Sequence, residues 1–244
     1  MTVTDPLVVK VGMYHEFQPI MNVKENKPLG FEALVRSNVL PNPAYIFRVA
    51  RESGKLYEMD CASIQLAIET YLADGYTSED GKLFLNILPS TILHDSFLDF
   101  VKELVKKNDL SNQEIILEIS ESEEIGDFKT FVNRTSLLKE LDFKIAIDDC
   151  GSGYSDIKNF IELDPHYLKL DRYFSKELAA CDKKVELIKS VMGFVEKFNS
   201  ELILEGLERE VDLEIVRSMG IEYAQGYLLG RPASLKAKVV STAY

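Results

Sequence analysis

The stretch Ile145-Ala146-Ile147-Asp148-Asp149 is an apolar run that ends in two carboxylates. Further apolar runs also end on an acid or its amide, so charge recurs at one end of these strands only. When buried parallel strands alternate with helices around a closed barrel, their C-terminal ends meet at one mouth, and the polar groups would form one cluster there. The other runs are Leu83–Asn86, Ile115–Glu118, Tyr167–Asp171 and Leu202–Glu205.

The first two predicted strands, Gly12–Met21 and Phe31–Val35, lie close together in the sequence, with a turn at Pro28-Leu29-Gly30. A parallel crossover needs about a dozen residues or more, and the segment around Asn26-Lys27 is too short to supply it. The two strands are therefore expected to pair antiparallel. The first strand of a barrel built this way runs in reverse.

Segments with strand periodicity and segments with helix periodicity alternate through the rest of the chain, and only a few loop residues separate one segment from the next. The predicted strands are Leu83–Asn86, Glu114–Ile119, Lys144–Asp148, Tyr167–Leu170, Glu201–Leu204 and a short one near Tyr223. The predicted helices cover Ala44–Ala73, Ser96–Lys107, Phe128–Leu141, Ser155–Ile161, Lys183–Phe198 and Glu210–Met219.

Roughly eight strands alternating with helices predict an α/β protein, a TIM-like (β/α)8 barrel with a reversed first strand. An open, doubly wound sheet is the alternative fold. The 244 residues suit a single barrel domain over residues 1–244 with a core of about 12–235.

The composition restricts the classes of partner. A formal net charge of -12 disfavours a broad grip on nucleic acid polymers or anionic lipid, although bound metals would still allow a small phosphate ligand. Three scattered cysteines fit a reducing compartment and not a disulfide framework or zinc cluster. With no signal stretch and no apolar run of about 18 residues, we expect a cytoplasmic protein without a membrane span.

Oxygen donors at the strand ends indicate a site for Mg²⁺ or Mn²⁺ and not for zinc. The donors are Glu32, Asn86, Glu118 and the pair Asp148-Asp149. Each has a structural alternative: Glu32 in an apolar strand would pair with Arg36, and Asp148-Asp149 before the glycines at 151 and 153 would build an Asx turn and a helix N-cap. None of the three histidines stands in a metal-binding spacing, so they receive no catalytic role.

Two further strand ends add charge. Glu205 and Glu208 place two carboxylates after one strand, and Lys169 and Asp171 place a cation beside an anion after another. Lys169 has two open interpretations: it holds a water or a phosphate oxygen, or it neutralises the acidic mouth.

These motifs together resemble, in order and spacing, those of EAL-domain cyclic di-GMP phosphodiesterases over about residues 14–232. A single tripeptide such as E-A-L carries little weight, whereas the ordered set is specific. The set is Glu32-Ala33-Leu34 with Arg36, Asn86, Glu118-Ile119-Ser120-Glu121, Asp148-Asp149, Lys169-Leu170-Asp171, Glu205-Gly206-Leu207-Glu208 and Gln225-Gly226-Tyr227.

The resemblance implies hydrolysis of cyclic di-GMP to linear 5′-pGpG with two divalent cations, Mg²⁺ or Mn²⁺, in a homodimer. It implies that the catalytic residues are Lys169, Glu205 and Asp149, and that Glu121 stabilises the loop after Asp148-Asp149. The implied metal ligands are Glu32, Asn86, Glu118, Asp148, Asp149 and Glu205, and the implied substrate contacts are Gln18, Arg36, Glu208 and Gln225.

The chain departs from the family pattern at two positions. Ser37 stands where the family commonly has Trp, which is expected to weaken packing on a guanine. Cys150 stands where Phe is usual, and a small thiol is expected to pack the loop less firmly.

Two other functions fit the same fold. The chain could be an EAL-type receptor that binds cyclic di-GMP with weak or no turnover, or a TIM barrel that uses its metals on another substrate. The intact acidic residues favour hydrolysis over the receptor, and Gln18, Arg36 and the order of the motifs count against another substrate.

Overall fold

The computed structural model describes residues 11–108, 111, 114–120, 123–151 and 156–236. Within these residues, the strands close into one eight-stranded barrel in the order β1 to β8. The closed barrel confirms the predicted TIM-like fold and excludes the open sheet. The strands are β1 Met13–Asn22, β2 Lys27–Ser37, β3 Lys82–Ile87, β4 Ile115–Ile119, β5 Lys144–Cys150, β6 Tyr167–Leu170, β7 Glu201–Leu204 and β8 Tyr223–Gln225.

The reversed first strand is present, as predicted: β1 pairs antiparallel with both β2 and β8, and the remaining neighbours pair parallel. The turn does not lie at Pro28-Leu29-Gly30, because those residues already belong to β2. It lies instead in residues 23–26, where Asn26 adopts the left-handed conformation (φ 56°) that Asn tolerates better than most residues.

Helices cover the outside of the barrel. The predicted helical segment Ala44–Ala73 is divided in two, because Gly54 with φ 67° ends the first helix. Short helices at the mouth, α3 and α7, were not predicted from the sequence. The helices are α1 Ala44–Glu52, α2 Leu56–Ala73, α3 Pro89–Ile92, α4 Phe97–Asn108, α5 Phe128–Glu140, α6 Asp156–Leu163, α7 Arg172–Ser175, α8 Asp182–Lys197 and α9 Glu210–Ser218.

The interior of the barrel is filled by one tight apolar layer below the mouth. Phe84 and Tyr167 meet edge to face in this layer, with ring centroids 5.5 Å apart. The larger apolar core lies between the sheet and the helices. Two residues beyond members of this layer, at the end where the parallel strands finish, the inner face carries Asn86, Glu118, Asp148 and Lys169. The inner layer consists of Ile20, Phe84, Ile116, Ala146, Tyr167 and Ile203.

Among the described residues, no helix has the length and apolar character needed to span a lipid bilayer.

His15 on β1 is a buried neutral imidazole whose Nε2 lies 3.1 Å from the Ser63 hydroxyl of α2. Burial, aided by Arg36, lowers the pKa of His15 to about 3. The unfolded chain binds a proton at this residue below about pH 6.5, and the native state does not. His15 therefore makes the free energy of unfolding fall as the pH drops below 6.5.

We predict that the double variant His15→Phe/Ser63→Ala is less sensitive to acid than the wild type. Between pH 7.5 and pH 5, the wild type should lose about 2 kcal/mol more unfolding free energy than the variant. Urea unfolding at both pH values measures this difference. Equal losses in the two proteins would contradict a neutral buried His15.

Candidate active site at the mouth of the barrel

The strand register brings the predicted acids to one level. Asn86 and Glu118 are direct neighbours on β3 and β4, and Glu32 on β2 pairs with Phe84 one step below Asn86 on the same face. Parallel strands with inward-facing side chains place such residues around one opening. Both Glu118 and Asp148 are buried at this opening.

Lys169 lies at the centre of this cluster and is fully buried. Its Nζ is 2.8 Å from Glu118, 2.8 Å from Asp148 and 2.9 Å from Glu205. It is also 3.4 Å from Glu32. One ammonium group therefore faces four carboxylates, which supports the interpretation that Lys169 neutralises the acidic mouth.

The protonation equilibria reflect this imbalance. Burial lowers the pKa of Lys169, but the carboxylates outweigh burial and hold that pKa well above its usual value. Burial raises the pKa of Glu118 and of Glu205 well above the usual range despite the attraction of Lys169. A single positive charge is too little for this many acids, so the cluster would gain from further cations.

Glu32 is the best-satisfied acid of the cluster. It accepts hydrogen bonds from Asn86 Nδ2 at 3.0 Å and from Gln225 Nε2 at 2.8 Å. Burial raises the pKa of Glu32, but Lys169 and these amide donors outweigh it, and the pKa falls below its usual value. The structural alternative, in which Arg36 pairs with Glu32, is wrong. Arg36 pairs with Glu16 on β1 at 2.7 Å.

Asp149 reaches the mouth because β5 is irregular. Its backbone is left-handed (φ 56°), and the register with β6 shifts between Ile147 and Cys150. In a regular strand, Asp148 and Asp149 would point to opposite faces, whereas a bulge redirects one of them. Burial, with the adjacent Asp148 charge, raises the pKa of Asp149 to about 6. The predicted helix N-cap falls in residues 152–155, outside the described part of the chain.

The carboxylates form two groups that share Asp148. Ligand atoms of Glu32, Glu118 and Asp148 lie within 4.8 Å of one another, as do those of Asp148, Asp149 and Glu205. Apart from Lys169, the Glu118 carboxylate has no hydrogen-bonding partner among the described residues. Oxygen-only donor sets with spare acceptor capacity fit hard divalent cations.

Two cavities open onto these acids. The larger, about 550 Å³, is lined by Arg36, and by Glu32, Asn86, Asp148, Asp149 and Glu205 from the cluster. The smaller, about 190 Å³, is lined by Gln18, Glu208 and Gln225. The structure therefore brings all the predicted site residues to the mouth except Glu121, which lies outside the described residues.

Other mouth residues were not singled out from the sequence. Glu16 holds Arg36 and lies two residues before Gln18, on the same face of β1, so the alternation of the strand was a usable signal. Tyr227 and Arg172 line the smaller cavity. Tyr227 belongs to the quoted Gln225-Gly226-Tyr227 motif, whereas nothing in the local sequence marks Arg172.

Residues 10–232 match the EAL domain model. The chain belongs to the EAL domain family. It is 26% identical over 236 residues to the bifunctional diguanylate cyclase/cyclic di-GMP phosphodiesterase MucR of Pseudomonas aeruginosa, an alignment that covers 93% of this chain and 34% of MucR. The chain spans about a third of the length of the curated relatives it matches.

Solved EAL structures share the fold. The PaMucR phosphodiesterase in complex with c-di-GMP superposes with a TM-score of 0.80 at 25% identity, over 93% of this chain and 94% of that one. A manganese and c-di-GMP complex of BlrP1 from Klebsiella pneumoniae gives a TM-score of 0.83 over 91% of this chain and 56% of that one. At 24% identity, BlrP1 supports the fold.

Cys150, next to the paired aspartates of this EAL domain, lines an apolar cavity of about 410 Å³ between the sheet and the helices α6 and α8. Phe160, Phe174 and Phe194 also line it. Gly151 is required beside Cys150, because a Cβ there would lie 2.2 Å from the Phe174 ring. Cys150 itself is buried in the main apolar core, so the expectation that a thiol packs this segment less firmly stays a prediction.

We predict that Cys150→Phe fills part of this cavity and stabilises the protein by about 1–2 kcal/mol, because it adds buried apolar surface in existing space. Cys61→Phe is the matched control. Cys61 is equally buried in the same apolar core but does not line this cavity, so the larger ring should destabilise the fold there. Denaturant melts of both variants test this; destabilisation by Cys150→Phe comparable to that of Cys61→Phe would contradict a usable cavity.

Proposed function

We propose that this EAL domain is a metal-dependent phosphodiesterase that hydrolyses cyclic di-GMP to linear 5′-pGpG. The observation that carries the proposal is the pair of carboxylate groups sharing Asp148, placed directly under the 550 Å³ cavity. Family membership supplies the substrate class, because the related MucR is described as a cyclic di-GMP phosphodiesterase.

The donor set suits two divalent cations, and Mg²⁺ or Mn²⁺ fits its oxygen ligands best. One cation would be bound by Glu32, Asn86, Glu118 and Asp148. The other would be bound by Asp148, Asp149 and Glu205. Asn86 donates its amide nitrogen to Glu32, which leaves its amide oxygen as the ligand atom. Such ions, when bound, shield the anionic diester and make a bound water more acidic.

The chain's own groups have separable roles in this scheme. Asp149 or Glu205 accepts the proton of the attacking water at a carboxylate oxygen. Lys169 holds the carboxylates together and faces the negative charge that develops on the phosphate. The water oxygen forms a bond to phosphorus as the bond between phosphorus and the 3′ oxygen breaks, and the 3′ oxygen takes up a proton to become a hydroxyl group.

Substrate contacts are assigned to residues on the cavity walls. Arg36 lies in the larger cavity, oriented by Glu16, and offers a guanidinium group to a phosphate or a guanine. Gln18, Glu208 and Gln225 line the smaller cavity. Gln18 donates its amide to the Gly230 carbonyl at 3.0 Å, which fixes its side chain.

A receptor with slow turnover is the second candidate, and the cavity beside Cys150 favours it. This cavity borders Cys150 and Gly151, which directly follow Asp148 and Asp149. A loosely held ligand segment lowers the rate of chemistry more than the affinity for substrate. Single-turnover cleavage compared with the dissociation constant for cyclic di-GMP separates the two functions.

We predict that the purified protein converts cyclic di-GMP to 5′-pGpG in Mg²⁺ or Mn²⁺ and that a chelator abolishes this activity. Glu32→Gln should lower the rate by about a hundredfold or more, because it removes a ligand charge at the centre of the site. Glu210→Gln, on the exposed side of α9, is the control and should keep full activity. Nucleotide chromatography measures the product, and binding without cleavage under all metal conditions would reject hydrolysis.

We also propose that the domain forms a homodimer through the face around the Cys150 cavity. Leu187, Phe194 and Phe198 on and after α8 are exposed there, and Phe194 contacts both Phe160 and Phe198. An exposed patch of large apolar side chains is typical of an interface between chains.

The double variant Leu187→Glu/Phe194→Glu should convert a dimer to a monomer, because two charges cannot be buried unpaired in such an interface. Val39→Glu, which replaces an exposed apolar residue elsewhere, should leave the dimer intact. Light scattering after size exclusion gives the mass of each variant. A monomeric wild type would disprove this assembly.

A further inference from the structure

The rim above β3 and β4 is tied together by a contact that the catalytic scheme does not use. Glu123, five residues after Glu118, accepts a hydrogen bond from the Ser90 backbone N–H at 3.0 Å. Its other carboxylate oxygen lies 2.6 Å from Arg51 of α1. We refer to Arg51, Glu123 and the Ser90 N–H as the rim clasp.

The rim clasp joins three segments that are distant in sequence. Ser90 lies at the start of α3, four residues after Asn86, whereas Glu123 lies in the segment that leaves β4 after Glu118. Arg51 is in the last turn of α1, which follows the strand that carries Glu32. The strands β2 and β4, which supply Glu32 and Glu118 of the first carboxylate group, are thus each followed by a segment held in the rim clasp. The strand β5, which supplies Asp148, is not.

The Glu123 carboxylate has the environment of a fixed group and not of a surface charge. Its side chain is only 8% exposed, although it lies in a loop, whereas that of Arg51 is 56% exposed. A buried carboxylate with both oxygens engaged has little freedom to move, and charge-assisted hydrogen bonds to a backbone N–H are stronger than neutral ones. Glu123 therefore fixes the first turn of α3 relative to the end of β4.

A second contact supports the same loop independently. The buried Asp60 of α2 accepts the Leu88 backbone N–H at 3.0 Å, and the Ser120 N–H reaches the Ile87 carbonyl at 3.4 Å. Because Asp60 holds the loop from the helix side, loss of the rim clasp should loosen the loop without unfolding the barrel. The effect of Glu123 is therefore separable from folding.

We infer that Glu123 is a positioning residue of the active site: it sets the spacing between Asn86 on β3 and Glu118 on β4 through Ser90 and Arg51. The inference rests on the metal site proposed above. Asn86 and Glu118 would be neighbouring oxygen donors of one ion, and the fixed spacing of donors decides how well a small divalent cation binds.

The test compares Glu123→Ala, which removes both contacts, with Glu123→Gln, which keeps an acceptor for Ser90 but loses the ion pair with Arg51. Asp212→Asn is the matched control. Asp212 is also a buried carboxylate, bound to the exposed Arg209 at 2.8 Å and to a backbone N–H, that of Ala179, at 2.9 Å. It lies on α9, away from β3 and β4.

Two measurements are needed on the wild type and on each variant. Hydrogen exchange in metal-free buffer should be about tenfold faster for the peptides covering residues 86–92 and 115–120 in Glu123→Ala, and unchanged there in Asp212→Asn. Mn²⁺ titration should give affinity weakened about tenfold by Glu123→Ala and less by Glu123→Gln. A merely structural role would lower the melting temperature of both Glu123→Ala and Asp212→Asn without changing the Mn²⁺ affinity of either.

Wild-type exchange at residues 86–92 together with wild-type Mn²⁺ affinity in a folded Glu123→Ala would overturn the inference, as would equal effects from Asp212→Asn. If Glu123→Ala does not fold, Glu123→Gln and Arg51→Gln decide by the same two measurements. Absence of Mn²⁺ binding in the wild type would instead reject the proposed metal site, and the exchange data would still decide whether Glu123 positions the rim.

Discussion

The whole mouth depends on one electrostatic constraint: a single buried ammonium group, that of Lys169, has to hold together carboxylates from β2, β4, β5 and the segment after β7. Carboxylates this close repel one another, and burial adds a desolvation cost that a lone lysine only partly offsets. The arrangement is tolerable because the acids lie at the open end of the barrel, where solvent and cations have access. The raised pKa of Glu118, Asp148 and Glu205 indicates how incomplete the compensation is.

The barrel provides the rigidity that this constraint requires. The apolar layer containing Phe84, Ile116 and Ile203 closes the interior directly beneath Lys169, so neither water nor the lysine can move deeper. The reversed β1 adds a second benefit. Because β1 is antiparallel to its neighbours, its N-terminal end lies at the mouth, and Glu16 and Gln18 reach the site. In a parallel first strand these two residues would lie at the opposite end of the barrel.

The loops that follow the strands complete the site, and different contacts hold them in place. The segment after β3 is held by Asp60 and Glu123, and the residue Gly206 after β7 is packed so tightly that an added Cβ would lie 2.2 Å from Arg172. The end of β5 borders an apolar cavity at Cys150, and Gly151 beside it is packed as closely as Gly206, because an added Cβ would lie 2.2 Å from Phe174. Asp149 enters the mouth through its left-handed backbone, directly before Cys150.

Strand period and the short connection between the first two strands were sufficient to predict the barrel and its reversed first strand, because both depend on local sequence. The apolar runs ending in acids predicted the meeting of Asn86, Glu118, Asp148 and Glu205. For Glu32 the residues alone left pairing with Arg36 open, and the family resemblance implied its place in the cluster. The break at Gly54, the partner of Arg36 and the bulge that turns Asp149 inward were decided only by tertiary structure. The same holds for the buried pairing of Glu123 with Ser90. Each of these depends on which distant backbone atoms come close after the barrel closes, and no local periodicity carries that information.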